Sequence, residues 1–146
     1  MSIRQQIITA IDTRLRTITV ANSYTTNAGA HVYDWLDRDL ADTELDAIIY
    51  RDRSDVIEHN LTDAFTHRLR VEIDARSKNA ASTAAQIRKI IDDIYKAIGV
   101  DDTWGGLAQD TTMPTNVEMA IEQADKIMGG ASFTIEIEYD AAKWTQ

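Results

Sequence analysis

The chain has no cysteine, few histidines and no long hydrophobic run. Its 146 residues include 3 histidines and no cysteine, which excludes a disulfide framework, a thiolate metal site and a cysteine nucleophile. A chain without cysteine is typical of a cytoplasmic protein. Polar residues interrupt the first segment, MSIRQQIITAID, at every second or third position. That segment is therefore predicted to be neither a signal peptide nor a membrane span.

Motifs for phosphate binding and nucleophilic catalysis are also missing. The pair Gly105-Gly106 lacks both the Gly-Lys-Ser/Thr context of a P-loop and the spacing of a GxGxxG motif, and a turn explains it better. No Gly-x-Ser-x-Gly elbow occurs. The histidines His31, His59 and His67 lack the i, i+4 spacing of helical zinc ligands, and His67 fits a hydrogen-bonded core residue. We therefore expect no catalytic, cofactor-binding or metal-binding residues and no enzyme activity.

Positive charge is scarce relative to negative charge. The chain has 15 Lys and Arg against 24 Asp and Glu, for a net charge of −9. This balance argues against tight wrapping of nucleic acid, whose affinity depends mainly on neutralising phosphates. An acidic surface would suit a wall that DNA slides past, although most acidic proteins are acidic merely for solubility, which is the better explanation. The length fits a single domain spanning 1–146.

Two amphipathic helices are predicted. The first spans 2–18, with Ser2 and Gln5 at the spacing of a capping box and an apolar stripe at three- and four-residue intervals (Ile3, Ile7, Ile11, Leu15 and Ile18). The second ends at Ile98 and begins between Asn79 and Thr83, either of which could be its N-cap. It has the longer stripe (Ala80, Ala84, Ile87, Ile90, Ile91, Ile94, Tyr95 and Ile98). Gly99 is expected to end it in a left-handed conformation.

Alternating apolar and polar residues predict the strands. The clearest covers 64–75; shorter ones cover 31–35 and 45–50, and a final hairpin turns at Gly129-Gly130. Residues 51–63 are interpreted as a charged loop. The predicted fold is α+β: an antiparallel sheet of four to five strands with two helices packed on one face.

Five residues are candidates for a subunit or partner interface. Trp35, Trp104 and Trp144 lie at element ends or in loops, where tryptophan either contacts a partner or covers the edge of a core. Arg68 and Arg70 alternate along the clearest strand and are followed by two acidic residues. That face is either a solvated sheet surface or a self-complementary surface for packing in a ring.

The order of segments resembles the tail terminators of long-tailed phages and prophages, also called tail completion or minor tail proteins. The resemblance spans nearly the whole chain, and DDTWGGLA followed by an acidic hairpin is its most distinctive part. It depends on these segments: SIRQQIITAI, HVYDW, LDAIIYRD, HRLRVEID, DDIYKAIG, DDTWGGLA and IEQADKIMGGASFTIEIEYDAAKW.

The resemblance implies a small α+β subunit that assembles into a ring, expected to be a hexamer, at the head-proximal end of the virion tail. Such a ring caps the tail tube, ends its polymerisation and provides the surface for the head–tail connector protein, after assembly in the host cytoplasm. The implied partners are other copies of the chain, the tail tube protein and the connector. DNA would pass through the lumen without specific binding, and no cofactor or membrane is implied.

Two alternatives remain open. One is a neck or head-completion protein that binds the connector rather than the tube. The other is a small enzyme or ligand-binding domain that uses the loop 101–106, which would require a pocket with convergent polar groups beside that loop. A Trp104 side chain closed over by the core would count against the latter.

Overall fold

The computed structural model describes residues 1–36, 38–78, 82–123 and 127–146. Within these residues the chain forms two α-helices, α1 (Ile3–Leu15) and α2 (Thr83–Gly99), and six β-strands. The strands are β1 (Val32–Asp34), β2 (Ala47–His59), β3 (Phe65–Ser77), β4 (Asp110–Thr112), β5 (Val117–Gln123) and β6 (Ile127–Ala141). The class is therefore α+β, as predicted. None of the helices in the described residues is both long enough and apolar enough to span a membrane.

The strands form one mixed sheet rather than a purely antiparallel one. Their order is β1-β2-β3-β6-β4, and β5 also pairs with β6. β1 runs parallel to β2, while the other pairs are antiparallel. The prediction of four to five antiparallel strands was wrong because residues 35–46 are long enough to carry the chain across to a parallel neighbour. The short strand β4 was also not predicted.

The core lies between the helices and one face of the sheet. Alternate residues of β3 and β6, from Leu69 to Ala75 and from Ala131 to Tyr139, are buried on this face. They join one hydrophobic cluster with the apolar stripes of both helices (Ile7, Ile8, Ile11, Leu15, Ile87, Ile90, Ile91 and Ile94). Both helices therefore pack on the same face, as predicted. We call the opposite side, which carries the even-numbered residues of β3 and β6, the outer face.

Residues 51–63, predicted to be a charged loop, are mostly strand. β2 continues to His59 and pairs with β3 along most of its length. Opposite charges meet across the two strands on the outer face: Arg51 Nη1 lies 2.7 Å from Asp74 Oδ2. Because cross-strand pairs of opposite charge stabilise a sheet, the high charge of this segment does not prevent strand formation.

The predicted hairpin turn at Gly129-Gly130 is also wrong, since both glycines lie inside β6 and pair with β5. The connection between the two strands falls at 124–126, outside the described residues. A Cβ atom on Gly129 would lie only 2.4 Å from Thr83 Cγ2. Glycine is therefore needed there because the first turn of α2 approaches the sheet closely.

The helix ends differ in part from the predictions. Ser2 caps α1, because its Oγ accepts a hydrogen bond from the Gln5 backbone N–H at 3.1 Å. α2 begins at Thr83, and the predicted alternative cap Asn79 and the stripe residue Ala80 lie outside the described residues. Gly99 is the last helical residue and has no left-handed φ, so the predicted glycine C-cap is wrong.

Candidate interaction surfaces

The two arginines predicted at an interface lie on the outer face and form ion pairs within the chain. Arg68 Nη1 lies 3.0 Å from Glu58 Oε1, and Arg68 Nε lies 3.5 Å from Glu138 Oε2. Arg70 Nε lies 3.2 Å from Glu136 Oε2. These pairs are partly open to solvent, where an ion pair contributes about 0–1 kcal/mol. The arginines are thus oriented by their neighbours while remaining accessible.

The outer face is charged along its whole length. At the end near the turn between β2 and β3, the two arginines stand among five acidic residues (Glu58, Asp110, Glu136, Glu138 and Asp140). At the other end, three arginines stand among three acidic residues (Arg51, Arg53, Arg76, Glu72, Asp74 and Glu118). The first end therefore has an excess of negative charge among the described side chains, and the second is balanced.

Trp35 lies at the edge of the sheet beside β1. Its side chain is 47% exposed, and its Nε1–H donates to Asp52 Oδ1 at 2.6 Å. Arg4 donates to the other carboxylate oxygen at 2.6 Å. Burial raises the pKa of Asp52, but the hydrogen bonds from Trp35 and Arg4 outweigh it and hold that pKa below its ordinary value. Trp35 is therefore a surface residue fixed by a charged acceptor.

Trp104 lies in the core rather than on the surface. It is only 2% exposed, its Nε1–H donates to Thr111 Oγ1 at 2.8 Å, and the Arg14 guanidinium lies 4.5 Å from its ring centroid. An indole in this position seals the core and presents no surface to a partner. This closed environment also counts against an enzyme or ligand-binding domain built on residues 101–106.

The loop that carries Trp104 is held by one carboxylate. Asp101 Oδ1 accepts from the Thr103 hydroxyl at 2.6 Å and the Thr103 backbone N–H at 2.9 Å, and Oδ2 accepts from the Gly105 N–H at 2.7 Å. The Thr103 hydroxyl and these backbone N–H groups lower the pKa of Asp101 to about 2. Gly105 and Gly106 both have a positive φ, of 74° and 86°, which confirms the prediction of a turn.

Trp144 is the most exposed of the three tryptophans, at 93%. It lies beyond the end of β6, where Thr145 turns back to donate to the Ala142 carbonyl. Together with Ile57 and Phe65 it lines a groove of about 450 Å³ at the end of the sheet near the turn between β2 and β3. We call this the hairpin groove. Its walls are mostly apolar, and its rim includes Lys143.

A polar cluster lies beneath the hairpin groove. His67, which is 2% exposed, lines the groove, and its Nδ1 lies 2.8 Å from Asp55 Oδ2. The imidazole stacks on Tyr139 with ring centroids 4.7 Å apart, and the Tyr139 hydroxyl donates to the same Asp55 oxygen at 3.3 Å. The prediction that His67 is a hydrogen-bonded core histidine is confirmed.

Asp55 is the central group of this cluster. Its side chain is only 8% exposed, and Arg4 Nη1 lies 4.0 Å away. Burial and the neighbouring Asp55 charge raise the pKa of Tyr139, so its hydroxyl stays protonated and remains a donor. Asp55 Oδ1 is fully buried and has no hydrogen-bond partner among the described residues.

Sequence reasoning did not find this cluster because it placed Asp55 and Ile57 in a loop. The alternation of 64–75 did identify His67 as inward-facing, but the register of β2 against β3 is what brings Asp55 beside it. The described residues, this cluster included, contain no group of three or more His, Cys, Asp or Glu side chains arranged to hold a metal ion.

The comparisons with known proteins add no relative. No protein-family model matches the chain, and the search of curated proteins gave no match.

Proposed function

We propose that this chain is a structural protein of phage morphogenesis that caps the tail tube as a ring, ends its polymerisation and provides the head–tail joining surface. The sequence resemblance suggests this role. The structural observation that supports it best is the outer face, which neither helix covers. Its charged side chains form ion pairs across neighbouring strands.

A face of this kind suits contacts between subunits. Side chains that are already held in one conformation lose little rotamer entropy on binding. Rows of opposite charge in fixed register also discriminate between partners and set the alignment of two copies. When two different parts of such a surface meet head to tail, the contact repeats and closes into a ring if the rotation allows.

The direct test is to add the purified chain to polymerising tail tube protein of the same phage. We expect shorter tubes with six-fold rings at one end, seen by negative-stain electron microscopy. A parallel pull-down compares the tube protein with the connector protein. Binding to the connector alone would replace this proposal with the neck-protein alternative, and binding to neither would contradict both.

Charge reversal tests the outer face itself. We expect the double variant Arg68→Glu, Arg70→Glu to weaken ring formation while circular dichroism shows a folded chain. The matched control is Arg88→Glu, Lys89→Glu, which makes the same change in charge on the exposed side of α2 and should leave ring mass unchanged. Equal ring mass in both variants would remove Arg68 and Arg70 from the interface.

A further inference from the structure

The hairpin groove contains a hydrogen-bond acceptor that nothing in the described residues uses. Among the described residues, the only hydrogen bond of the His67 ring is the one from Nδ1 to Asp55. Asp55 Oδ1 is the single fully buried side-chain N or O atom without a partner in the described part of the chain. His67 Nε2 also lacks a partner and is not fully buried, so the small accessible part of this groove-lining ring includes Nε2.

The surroundings of His67 determine the role of that nitrogen. A carboxylate can only accept hydrogen bonds, so the Nδ1 atom facing Asp55 carries the hydrogen. In the neutral imidazole Nε2 is then an acceptor. The groove thus offers one oriented acceptor among apolar walls, and an apolar group carrying a hydrogen-bond donor would satisfy it.

The chain itself carries such a group. Trp144 is almost fully exposed, and its indole N–H has no hydrogen-bond partner among the described residues. Trp35 and Trp104 differ in this respect, because both donate to side-chain oxygens within the chain. Exposing a whole indole to water is unfavourable, and a tryptophan is the residue type most enriched among energetically important interface residues.

We propose that the hairpin groove binds the Trp144 side chain of a second copy of this chain. Trp144 lies on the wall of its own groove, so a two-fold axis beside it would place each indole against the groove of the other copy. The contact is then made twice, as in isologous dimers. In each half, the indole packs on Ile57 and Phe65, and its N–H donates to His67 Nε2.

The expected area makes this a weak dimer. Each tryptophan can bury about 150–250 Å². With the groove surface that it covers, two such contacts bury roughly 600–1,000 Å², below the 1,200–2,000 Å² of stable complexes. We therefore expect a dissociation constant of roughly 10 μM to 1 mM.

This dimer does not depend on the proposed tail function. A two-fold contact closes at two copies, so it cannot build the ring by itself, and it uses the groove rather than the charged outer face. Sedimentation velocity of the 146-residue chain from about 10 μM to 2 mM should show a reversible monomer–dimer equilibrium. A monomer at every concentration would overturn the proposal.

Substitutions locate the contact. Trp144→Ala should weaken the dimer at least about tenfold. Trp144→Phe keeps an aromatic ring and loses the donor, so we expect a smaller loss of about two- to tenfold. Ile57→Asp, on the exposed groove wall, should also weaken the dimer. Met113→Ala is the control, because Met113 is an exposed apolar residue outside the groove.

The result of each comparison decides the matter. If Trp144→Ala leaves the dimer unchanged, the proposal is overturned. If Trp144→Ala weakens the dimer but Ile57→Asp does not, the proposal is also overturned, because the indole would then bind outside the hairpin groove. In the expected case, diluting the labelled wild-type chain also shifts the His67 Nε2 nitrogen resonance. If the double variant Arg68→Glu, Arg70→Glu loses the rings but keeps the dimer, the ring contact on the outer face and the dimer contact in the hairpin groove are separate.

Discussion

Trp104 and Trp144 both have a positive φ angle but lie in opposite environments. Their φ angles are 55° and 62°, and both lie outside the helices and strands. Trp104 is buried, with an acceptor hydroxyl for its N–H and a guanidinium over its ring. Trp144 has neither an acceptor nor a guanidinium partner among the described residues, and its side chain is 93% exposed. The difference shows that partners supplied by distant segments, rather than local conformation, decide whether a loop tryptophan becomes core or surface.

The two tryptophans also mark different parts of the molecule. Around Trp104, the loop 101–106 and β4 cover the core beside the C-terminal end of α2, and Ala108 is buried there too. Around Trp144, at the end of the sheet near the turn between β2 and β3, Ile57 is exposed and Phe65 is half-buried. The first region should therefore carry stability, and the second is available for binding.

The largest expected effect tests this contrast directly. Trp104→Ala should lower the free energy of unfolding by about 3–5 kcal/mol, because it removes a large buried side chain and leaves a cavity. Trp144→Ala should change it by less than about 0.5 kcal/mol, since no packed contact is lost. Urea denaturation followed by circular dichroism, at a concentration where the chain is monomeric, measures both. Similar losses in the two variants would contradict the contrast.

A smaller effect is expected for the polar cluster beneath the hairpin groove. Asp55→Ala should lower the free energy of unfolding by about 1–3 kcal/mol, because it leaves the His67 N–H and the Tyr139 hydroxyl without an acceptor. Glu58→Ala is the matched control on the same strand: its exposed pair with Arg68 should contribute at most about 1 kcal/mol. Urea midpoints of both variants compare them.

The result for Asp55→Ala tests whether water can reach the polar cluster beneath the hairpin groove. If Asp55→Ala were neutral, water would have to satisfy His67 and Tyr139, and the cluster would be accessible rather than buried. If Glu58→Ala cost as much as Asp55→Ala, the outer-face pairs would matter more to stability than their exposure indicates.

The sequence predicted the parts of the fold whose pattern is local. Both isoleucine stripes and the alternation of β3 follow directly from helix and strand periodicity. The second half of β2 was not predicted because polar and apolar residues occur on both of its sides, so the alternation is lost. Gly129 was wrongly assigned to a turn. Glycine is needed at this position because Thr83, a residue far away in sequence, approaches it closely.

The candidate sites were likewise predictable only where they depend on local sequence pattern. Alternation correctly placed Arg68 and Arg70 on one face and His67 on the other. It could not identify the glutamates that pair with the arginines or the Asp55 carboxylate that orients His67, because these depend on the register of three strands. For the tryptophans, residue type and loop position could not separate Trp104 from Trp144.

The smallest expected effect concerns the loop 101–106 and the dependence of its stability on pH. The pKa of Asp101 is lowered to about 2 in the folded chain, against about 3.9 in an unfolded one. A lowered pKa means that the ionised carboxylate stabilises the fold above pH 4, and that this contribution disappears as the pH falls toward 2. Asp101→Asn removes the charge at every pH, so its difference from the wild type isolates this contribution.

We therefore expect the urea midpoint of Asp101→Asn to lie below that of the wild type at pH 6 and the two midpoints to converge near pH 2. Asp102→Asn makes the same change in charge one residue later, at an exposed position, and should show no comparable convergence. Equal midpoints at every pH would mean that the loop is held by the shape of the Asp101 side chain, which asparagine shares, and a gap that stays constant from pH 6 to 2 would mean that the substitution acts through something other than the lost charge. Convergence would show that the anion orders the three donors, and hence that a single charge helps keep Trp104 in the core, whereas Trp144 has no such anchor among the described residues.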